Sequence, residues 1–487
     1  MVRGCSKEKR FEGREIMRSN RKIILLLFVL IYLSWAVPLF SPGAGYAQEK
    51  KPDHASTADA AVPGKASAEG SGSLSLERCI EIALEKNPEI AAAKWDIEAV
   101  ASRYDAARSA FFPQVYAEGG YLQYVDSQRL IAAKYNGELG VFDNDLLRGD
   151  LVARMTLFAG GRITNEADAS ERLTEAEKKK FIRTRDELIY SVTAVYFSIR
   201  GQQSIIASLE FSMGALEQNR KRVSQLYDAQ KVAKVDLLRT EVRLADVNQN
   251  IIKEKNVLAT QTRLLFSLMG YDDVPENARI EDKFELPSEV SIDVRRLIES
   301  ALKNRPDYLA AKERVEAQVL RVNVARAGHW PTVSLVGAYG VRNAPSPENT
   351  GKNTSTTGNV GNVGVVLSVP LFEGGRVSAK ISEETALLAA AKERIKRLEL
   401  QIRQETETAA LDVQSSTARF KATEKSVEQA KESLRIESLK YELGRGSITD
   451  ILDAHAALVQ AETNYCRSCI DYQISKARLK LATGGAL

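Results

Sequence analysis

The chain has 487 residues, of which 44% are hydrophobic and 27% charged, and its formal net charge at pH 7 is +4. This length predicts two or three ordinary domains or one large repeated domain. The charged fraction excludes a polytopic helical membrane protein, and the apolar fraction excludes a wholly disordered chain.

Residues 1–47 are predicted to be a signal peptide that is removed on export. Three basic residues precede an apolar run from Ile23 to Val37, and Gly45-Tyr46-Ala47 places small residues at the −3 and −1 positions of a cleavage site. The run of about 15 residues is shorter than the ~20 that cross a bilayer as a helix. The segment before Met17 is longer than usual for the start of a signal peptide and carries charges of both signs, so Met17 rather than Met1 is the predicted start. No cysteine directly follows the run, which disfavours a lipid anchor.

Removal of the leader changes the charge balance of the chain. The leader carries eight of the 68 basic residues and three of the 64 acidic ones, so 60 basic and 61 acidic residues remain, a net charge of −1. No excess positive charge is left for binding nucleic acid. Residues 48–73 are rich in Ala, Ser, Gly, Pro and Lys, and are predicted to be a disordered linker.

The remainder of the chain is one unit written twice. Leu157-Phe158-x-Gly160-Gly161-Arg162 recurs 214 residues later as Leu371-Phe372-x-Gly374-Gly375-Arg376, and Ala83-Leu84 recurs 218 residues later as Ala301-Leu302. One four-residue length change accounts for the two offsets, which indicates a duplication. The predicted segments are a first repeat at 74–270, a connector at 271–290, a second repeat at 291–484 and a tail at 485–487.

Each repeat is predicted to begin with two helices. In the first repeat these cover residues 75–86 and 89–110. A proline follows in both repeats, Pro113 and Pro331, where a helix cannot continue because proline lacks the backbone N–H.

Two strands are predicted to follow in each repeat. In the second repeat, apolar residues share one parity at 333–341 and at 363–371, a period of two that is typical of a strand with one face in an apolar medium. The polar stretches at 126–149 and 342–362 are predicted to be the loops that join the strands.

Long helices are predicted after each Gly-Gly-Arg, at 163–228, 234–268, 377–443 and 448–482. None of these segments contains a proline, and apolar residues recur every seven positions along them, as at Val413, Phe420, Val427, Leu434 and Tyr441. About 66 residues at ~1.5 Å each make a helix on the order of 100 Å long. The heptads favour coiled-coil packing over ordinary amphipathic helices.

Four strands per chain cannot close a barrel, and an open sheet edge in lipid would leave backbone groups without partners. In an exported chain, one-sided strands therefore suggest an outer-membrane barrel shared between subunits. An eight-stranded barrel is filled by side chains, so a pore favours three chains and twelve strands. A soluble four-stranded sheet packed on a helical stalk is the alternative.

The order of helix pair, strand pair and long helix pair, written twice, resembles the outer membrane efflux protein family, the TolC-like channel-tunnels, over residues 74–484. The most specific element is the turn Tyr441-x-x-Gly444-x-Gly446-Ser447-x-x-Asp450-x-Leu452-Asp453. The resemblance implies a mainly α homotrimer with a twelve-stranded barrel in the outer membrane of a Gram-negative bacterium, continuous with a twelve-helix coiled-coil tunnel that spans the periplasm. It implies passive export, in an efflux or type I secretion system, of substrates delivered by an inner-membrane pump (RND, ABC or MFS type) and a periplasmic adaptor protein, with no reaction catalysed and no cofactor.

The turns at 227–236 and 441–450 are the predicted site. Asp450 and Asp453 lie three residues apart and can share a helix face, so a trimer would place six carboxylates at the tunnel mouth, where they would select for cations. By resemblance they match the family's aperture acids. The alternative, helix N-capping, stays open for them and for Asp236.

Tyr441 and Asp236 match, by resemblance, residues that tie the hairpin tips together in the closed state, the phenol donating to the carboxylate. Gly446 stands where the family has a basic residue and Arg445 comes one position earlier, which leaves the part of Arg445 in this latch open. The first turn has Gln230 where the second has Gly444, which predicts either a less tight turn or different adaptor contacts. The candidate adaptor contacts are Gln230, Lys231, Gly444, Gly446 and Ser447.

Cys466-Arg-Ser-Cys469 is a CxxC pair, a spacing found in redox and metal sites. It lies within a predicted helix, no second cysteine pair exists, and Cys466 aligns through the repeat with Ile252, which we expect to be packed. Buried packing is therefore favoured, with a disulfide (to Cys79 or within the pair) and a metal site as alternatives. For His455, a core or solvated position is favoured over a pH-sensing one.

The leading hypothesis is a passive export duct. The rival is a non-conducting coiled coil that spans the periplasm or lies at the surface. No nucleophile–base or metal constellation indicates an enzyme. The sequence does not distinguish among drugs, metal ions and polypeptides as the substrate, nor among the pump classes.

Overall fold

A computed structural model describes residues 74–123, 125, 129–131, 139–141, 145–275, 280, 293–343 and 357–485. The predicted signal peptide and linker lie outside these residues, as do most of the predicted connector and the last two residues. Among the helices described, none is both long enough and apolar enough to cross a membrane.

Each repeat begins with a short and a medium helix. These are α1 (Leu76–Lys86) and α2 (Pro88–Arg108) in the first repeat. In the second repeat they are α5 (Val294–Asn304) and α6 (Pro306–Arg326). The predicted bounds in the first repeat are confirmed to within two residues. One 3₁₀ turn follows each of α2 and α6, at 109–111 and at 327–329. Each turn ends two residues before the proline, Pro113 or Pro331, at which the helix was predicted to have stopped.

The long helices are α3 (Arg162–Asp228), α4 (Lys234–Leu268), α7 (Arg376–Glu442) and α8 (Ile448–Ala482). The predicted bounds of α4 and α8 are confirmed at both ends, and those of α3 and α7 to within one residue. Helices α3 and α7 have 67 residues each, on the order of 100 Å at ~1.5 Å per residue.

The heptad positions face neighbouring helices, as predicted. Val413 on α7 packs with Tyr472 and Leu479 on α8 in one cluster of buried side chains. In a second cluster, Ile251 on α4 packs with Ile451 on α8 and with side chains of α3. Burial of these heptad positions against neighbouring helices stabilises a length that helix propensity alone would not.

The sheet is antiparallel, with the strand order β1 (Gln114–Gln123), β4 (Asp145–Phe158), β5 (Thr332–Asn343) and β6 (Thr357–Ser368). Between β1 and β4, β2 (Arg129–Ile131) and β3 (Leu139–Val141) form a separate two-stranded ribbon. Strand β4 begins five residues earlier than predicted and β6 six residues earlier, so the predicted loops at 126–149 and 342–362 are too long. Residues 357–362 have low strand propensity, but each pairs with a residue of β5, and this pairing overrides local preference.

The predicted strand at 363–371 also ends too late. Strand β6 stops at Ser368, and Pro370 follows. Proline has no N–H to donate to the ladder, so strand pairing ends before it. The apolar alternation in the sequence continues to Val369 and Leu371, beyond the last paired residue.

The register gives the sheet two unlike faces, because directly opposed residues of paired strands point to the same side. Leu151, for example, lies opposite Ala117 on one side and Tyr339 on the other. The apolar face carries Val115, Tyr121, Leu147, Leu151, Met155, Val333, Leu335, Tyr339, Val341, Val363, Val365 and Leu367. The other face, called the charged face below, carries Glu118, Arg148, Asp150, Arg154 and Arg342. Small, polar and apolar residues lie between them, the apolar ones being Tyr116, Leu122, Leu146, Val152, Val336, Val360 and Val366. Side chains of the apolar face are exposed in the single chain, with Val363 at 82% and Tyr339 at 63%.

Glycine pairs join the strands to the long helices. Gly160 and Gly374 have φ 61°, and Gly161 and Gly375 have φ 81° and 82°. A Cβ on Gly160 would lie 2.4 Å from the Cβ of Trp330. The first bend therefore needs glycine for both its backbone conformation and its close approach to Trp330. A Cβ on Gly374 would meet nothing within 4 Å, so the second bend needs glycine for its backbone conformation alone.

The start of α6 is fixed by a buried arginine. Arg305 is 1% exposed, and its guanidinium lies 2.7 Å from Asp307 Oδ2 and 2.7 Å from Glu405 Oε2 on α7. Burial acts to raise the pKa of both carboxyl groups, but the hydrogen bonds and positive charge of Arg305 outweigh it and hold both pKa values below the usual range. The equivalent residue of the first repeat is Asn87, whose amide donates to the carbonyl of Leu268 at 2.8 Å.

Candidate functional site at the helix tips

The turns that end α3 and α7 have the same backbone hydrogen bonds. In the first, Gln230 N donates to Tyr227 O and Lys231 N to Leu226 O, both at 2.8 Å. In the second, Gly444 N donates to Tyr441 O at 3.0 Å and Arg445 N to Lys440 O at 2.8 Å. These bonds require a left-handed residue in the middle, with φ 56° at Gln230 and 70° at Gly444. Of the two alternatives for residue 230, the less tight turn is therefore wrong, and different adaptor contacts stay a prediction.

Exchange of these two residues tests the strain at Gln230. The variant Gln230→Gly should raise the free energy of unfolding by about 0.5 kcal/mol, because relief of ~1–2 kcal/mol of left-handed strain exceeds the ~0.5–1 kcal/mol entropic cost of glycine. The variant Gly444→Gln should lower it by a similar amount, since a Cβ at Gly444 meets nothing within 4 Å and only backbone strain is added. Thermal unfolding followed by circular dichroism measures both, and shifts of the same sign would refute the assignment.

The two predicted aperture acids differ in their local bonding. Asp450 and Asp453 are both exposed on α8, three residues apart. Asp450 Oδ2 accepts a hydrogen bond from Ser447 N at 3.1 Å, and Ser447 Oγ accepts one from Thr449 N at 3.1 Å. This capping box gives Asp450 a structural role at the start of α8. Within the described part of the chain, Asp453 makes no such bond, so its carboxylate is available to the surroundings.

Tyr441 and Asp236 are brought close together without the predicted hydrogen bond. The hydroxyl of Tyr441 is buried and has no hydrogen-bond partner among the described residues. Burial and then the carboxylate of Asp236 raise the pKa of Tyr441, against the opposing charge of Arg222. Asp236 is half-buried in the first turn of α4, whose N-cap Ala233 provides no side-chain hydrogen bond.

Other contacts join the two tips directly. Arg222 Nη1 of α3 lies 2.9 Å from Glu442 Oε1 of α7. Arg239 Nη1 of α4 donates to Thr449 Oγ1 of α8 at 3.0 Å. Neither pair was predicted from the sequence. The signal for the first is opposite charge at the ends of two long helices.

An apolar cluster lies behind these polar contacts. Val223 of α3 is fully buried against Ile448, Ile451 and Leu452 of α8, with Tyr441 partly buried beside them. The ion pair between Arg222 and Glu442 is half-exposed and contributes roughly 0–1 kcal/mol, so most of the stability of the contact between the tips comes from this cluster.

The remaining predicted residues lie on the surface of the turns. Gln230, Lys231, Gly444, Arg445 and Ser447 are exposed. Arg445 has no ion pair among the described residues. A Cβ on the half-buried residue Gly446 would lie 3.0 Å from Tyr441 N and 3.1 Å from Lys440 Cβ, so the path of the backbone disfavours a larger side chain there.

His455 is a core residue. It is 7% exposed, and its Nδ1 lies 3.4 Å from Ser212 Oγ. Burial and then the charge of Arg243 lower its pKa. The imidazole is thus held neutral by its packing, in agreement with the favoured prediction.

The described cysteines are free thiols. Cys79 and Cys469 are buried and Cys466 is half-buried, and burial raises the pKa of Cys79 and Cys469 to about 11. Packing is confirmed for Cys469 and in part for Cys466. The expectation that the equivalent residue Ile252 is packed is wrong, because Ile252 is 62% exposed. No group of three or more potential metal ligands occurs in the described ranges.

Comparison with known proteins identifies the family of this chain. The model of a family described as "Outer membrane efflux protein" matches residues 79–271 and 297–485. The outer membrane protein TolC of Vibrio cholerae is 23% identical over 405 residues, 82% of this chain and 89% of that protein. TolC of Escherichia coli K12 is 21% identical over 411 residues, 82% and 80% of the two chains. The solved structure of the Campylobacter jejuni CmeC outer membrane channel has the same fold, with a TM-score of 0.72 at 17% identity over 85% of this chain and 86% of that one.

Proposed function

This chain belongs to the outer membrane efflux protein family and is located in the outer membrane; on that premise, we propose that three copies form a passive exit duct that is gated at the helix tips. The duct catalyses no reaction and needs no cofactor. It receives substrates from an inner-membrane pump through a periplasmic adaptor that docks on the exposed turns around Gln230, Lys231, Gly444, Gly446 and Ser447.

The two-faced sheet is the observation that supports this proposal best. Its apolar face is exposed in the single chain, and its outer strands β1 and β6 each pair with one neighbour among the described residues. Along β5, the apolar residues from Val333 to Val341 span ~26 Å at ~3.3 Å per residue, close to the ~25 Å apolar band of membrane barrels. Lipid would cover this face, and pairing of β1 and β6 between copies would satisfy the free edges.

The oligomeric state tests the trimer. Native mass spectrometry in detergent should give three times the mass of the processed chain, and the unheated protein should migrate as a compact folded barrel in gels. A monomer, or a protein that remains soluble without detergent after removal of the leader, would contradict the shared barrel.

The latch is tested by opening it. The double variant Tyr441→Phe/Asp236→Ala should raise the conductance of the trimer in planar bilayers, because it removes the buried hydroxyl of Tyr441 and the nearby carboxylate of Asp236 from between the two hairpins. Tyr441→Phe alone should change the conductance less, since no hydrogen bond of the phenol is lost. An unchanged closed-state current in the double variant would eliminate the latch assignment.

A further inference from the structure

The charged face of the sheet carries an excess of positive charge. Its described ionisable side chains are three arginines and two carboxylates, a net charge of +1 for each chain. Glu118 and Asp150 lie near the middle of β1 and β4. Arg342 is the last residue but one of β5, and Arg154 lies opposite the first residue of β1.

The cross-strand register places like charges together. Arg148 of β4 lies directly opposite Arg342 of β5, and Glu118 of β1 lies directly opposite Asp150 of β4. Like charges in directly opposed positions are destabilising, so this arrangement is not explained by the stability of the sheet.

One diagonal ion pair relieves part of the repulsion. Arg342 Nη1 lies 2.5 Å from Asp150 Oδ1, and the side chain of Asp150 is only 8% exposed. Asp150 lies across Gly340, where a Cβ would be 2.1 Å from Oδ1. This ion pair neutralises the charge of Arg342, and Arg148 takes no part in it.

The other two arginines have no ion-pair partner within the described ranges. Arg148 is exposed and lies over Gly120, where a Cβ would be 3.1 Å from its Nε. Arg154 is also exposed and lies opposite Gln114 and Val336. The two arginines are six residues apart, or about 20 Å along the strand at ~3.3 Å per residue.

Resting on the trimeric duct proposed above, we infer that Arg148 and Arg154 form two basic rings inside the barrel that select for substrates bearing an anionic group, such as a carboxylate, phosphate or sulfonate. Each ring holds three guanidinium groups in a low-dielectric wall, which concentrates anions near it. The barrel then has the opposite preference to the acidic mouth at the helix tips, and an exported molecule meets the two in sequence.

Ion selectivity in planar bilayers tests this inference. The background is Asp450→Asn/Asp453→Asn, which removes the carboxylates of the tips, and the reversal potential is measured in a KCl gradient. Adding Arg148→Gln/Arg154→Gln should lower the anion-to-cation permeability ratio by at least about twofold, because the local anion concentration falls. Arg148→Lys/Arg154→Lys should retain most of the ratio. The control Arg78→Gln, at an exposed position of α1, should leave it unchanged.

Glu118→Gln in the same background provides an independent measurement. It should raise the anion-to-cation ratio, and it decides the question if the arginine variants fail to assemble. Channels that conduct with an unmoved ratio in the arginine and Glu118 variants would overturn the basic rings and leave the duct intact. Absence of conductance in every protein, including the background and the latch variant, would instead refute the duct.

Discussion

Replacement of Arg305 by methionine is expected to lower the free energy of unfolding by about 3 kcal/mol, because it leaves two carboxylates without the cation that compensates their burial. The guanidinium is 1% exposed and bridges Asp307 at the start of α6 to Glu405 on α7. Unfolding of the detergent-solubilised protein, followed by circular dichroism, measures the loss.

The matched control is Arg78→Met on α1. Arg78 pairs with Glu81 at 3.0 Å, but both side chains are more than 60% exposed, so this variant should cost at most about 1 kcal/mol. A loss at Arg305 no larger than the loss at Arg78 would refute the buried bridge.

The same bridge predicts acid sensitivity. The pKa values of Asp307 and Glu405 are lower in the folded protein than in the unfolded chain, so their stabilising contribution is present above the unfolded pKa values and is lost as the pH falls through the folded ones. Wild-type stability should therefore fall more steeply with acidification than that of Arg305→Met. Parallel pH profiles for the two proteins would contradict the assignment.

Neutralisation of the tip acids is expected to give the largest functional change. In the proposed trimer, Asp450→Asn/Asp453→Asn removes six negative charges from the mouth, so the cation-to-anion permeability ratio should fall several-fold. The reversal potential in a salt gradient, measured in planar bilayers, reports the ratio.

Two further variants separate charge from helix capping. Ser447→Ala removes the hydroxyl of the capping box without a change of charge, so it should lower stability by about 1 kcal/mol and leave selectivity unchanged. Asp453→Asn alone should shift selectivity without a cost in capping. A reversal potential that moves in Ser447→Ala, or that stays fixed in the double aspartate variant, would place the selectivity elsewhere.

The long helices were predictable because their signals are local and periodic. The bounds of α4 and α8 follow from heptads without proline, and the glycine pairs before α3 and α7 mark the bends from the strands. The early starts of β4 and β6 were missed because pairing with distant residues decides them. Residues 357–362 become strand through their partners in β5, against their own composition.

The tips show the same division. The residues of the second turn could be identified from the motif around Gly444 and Asp450, but the ion pair between Arg222 and Glu442 joins positions 220 residues apart. Duplication also misled at one position. Cys466 and Ile252 are equivalent in sequence, yet Cys466 packs against the cluster of α3 and α8 while Ile252 is exposed. Two copies of a sequence share their helices but not their neighbours.

Single-channel recording of the purified protein in planar bilayers tests the passive duct most directly. A passive duct should give discrete conductance steps that prefer cations and that become larger in Tyr441→Phe/Asp236→Ala, with no added nucleotide or other energy source. A trimer that inserts into the bilayer but never conducts, even in that variant or with Asp450 and Asp453 replaced, would contradict it and would favour a non-conducting coiled coil.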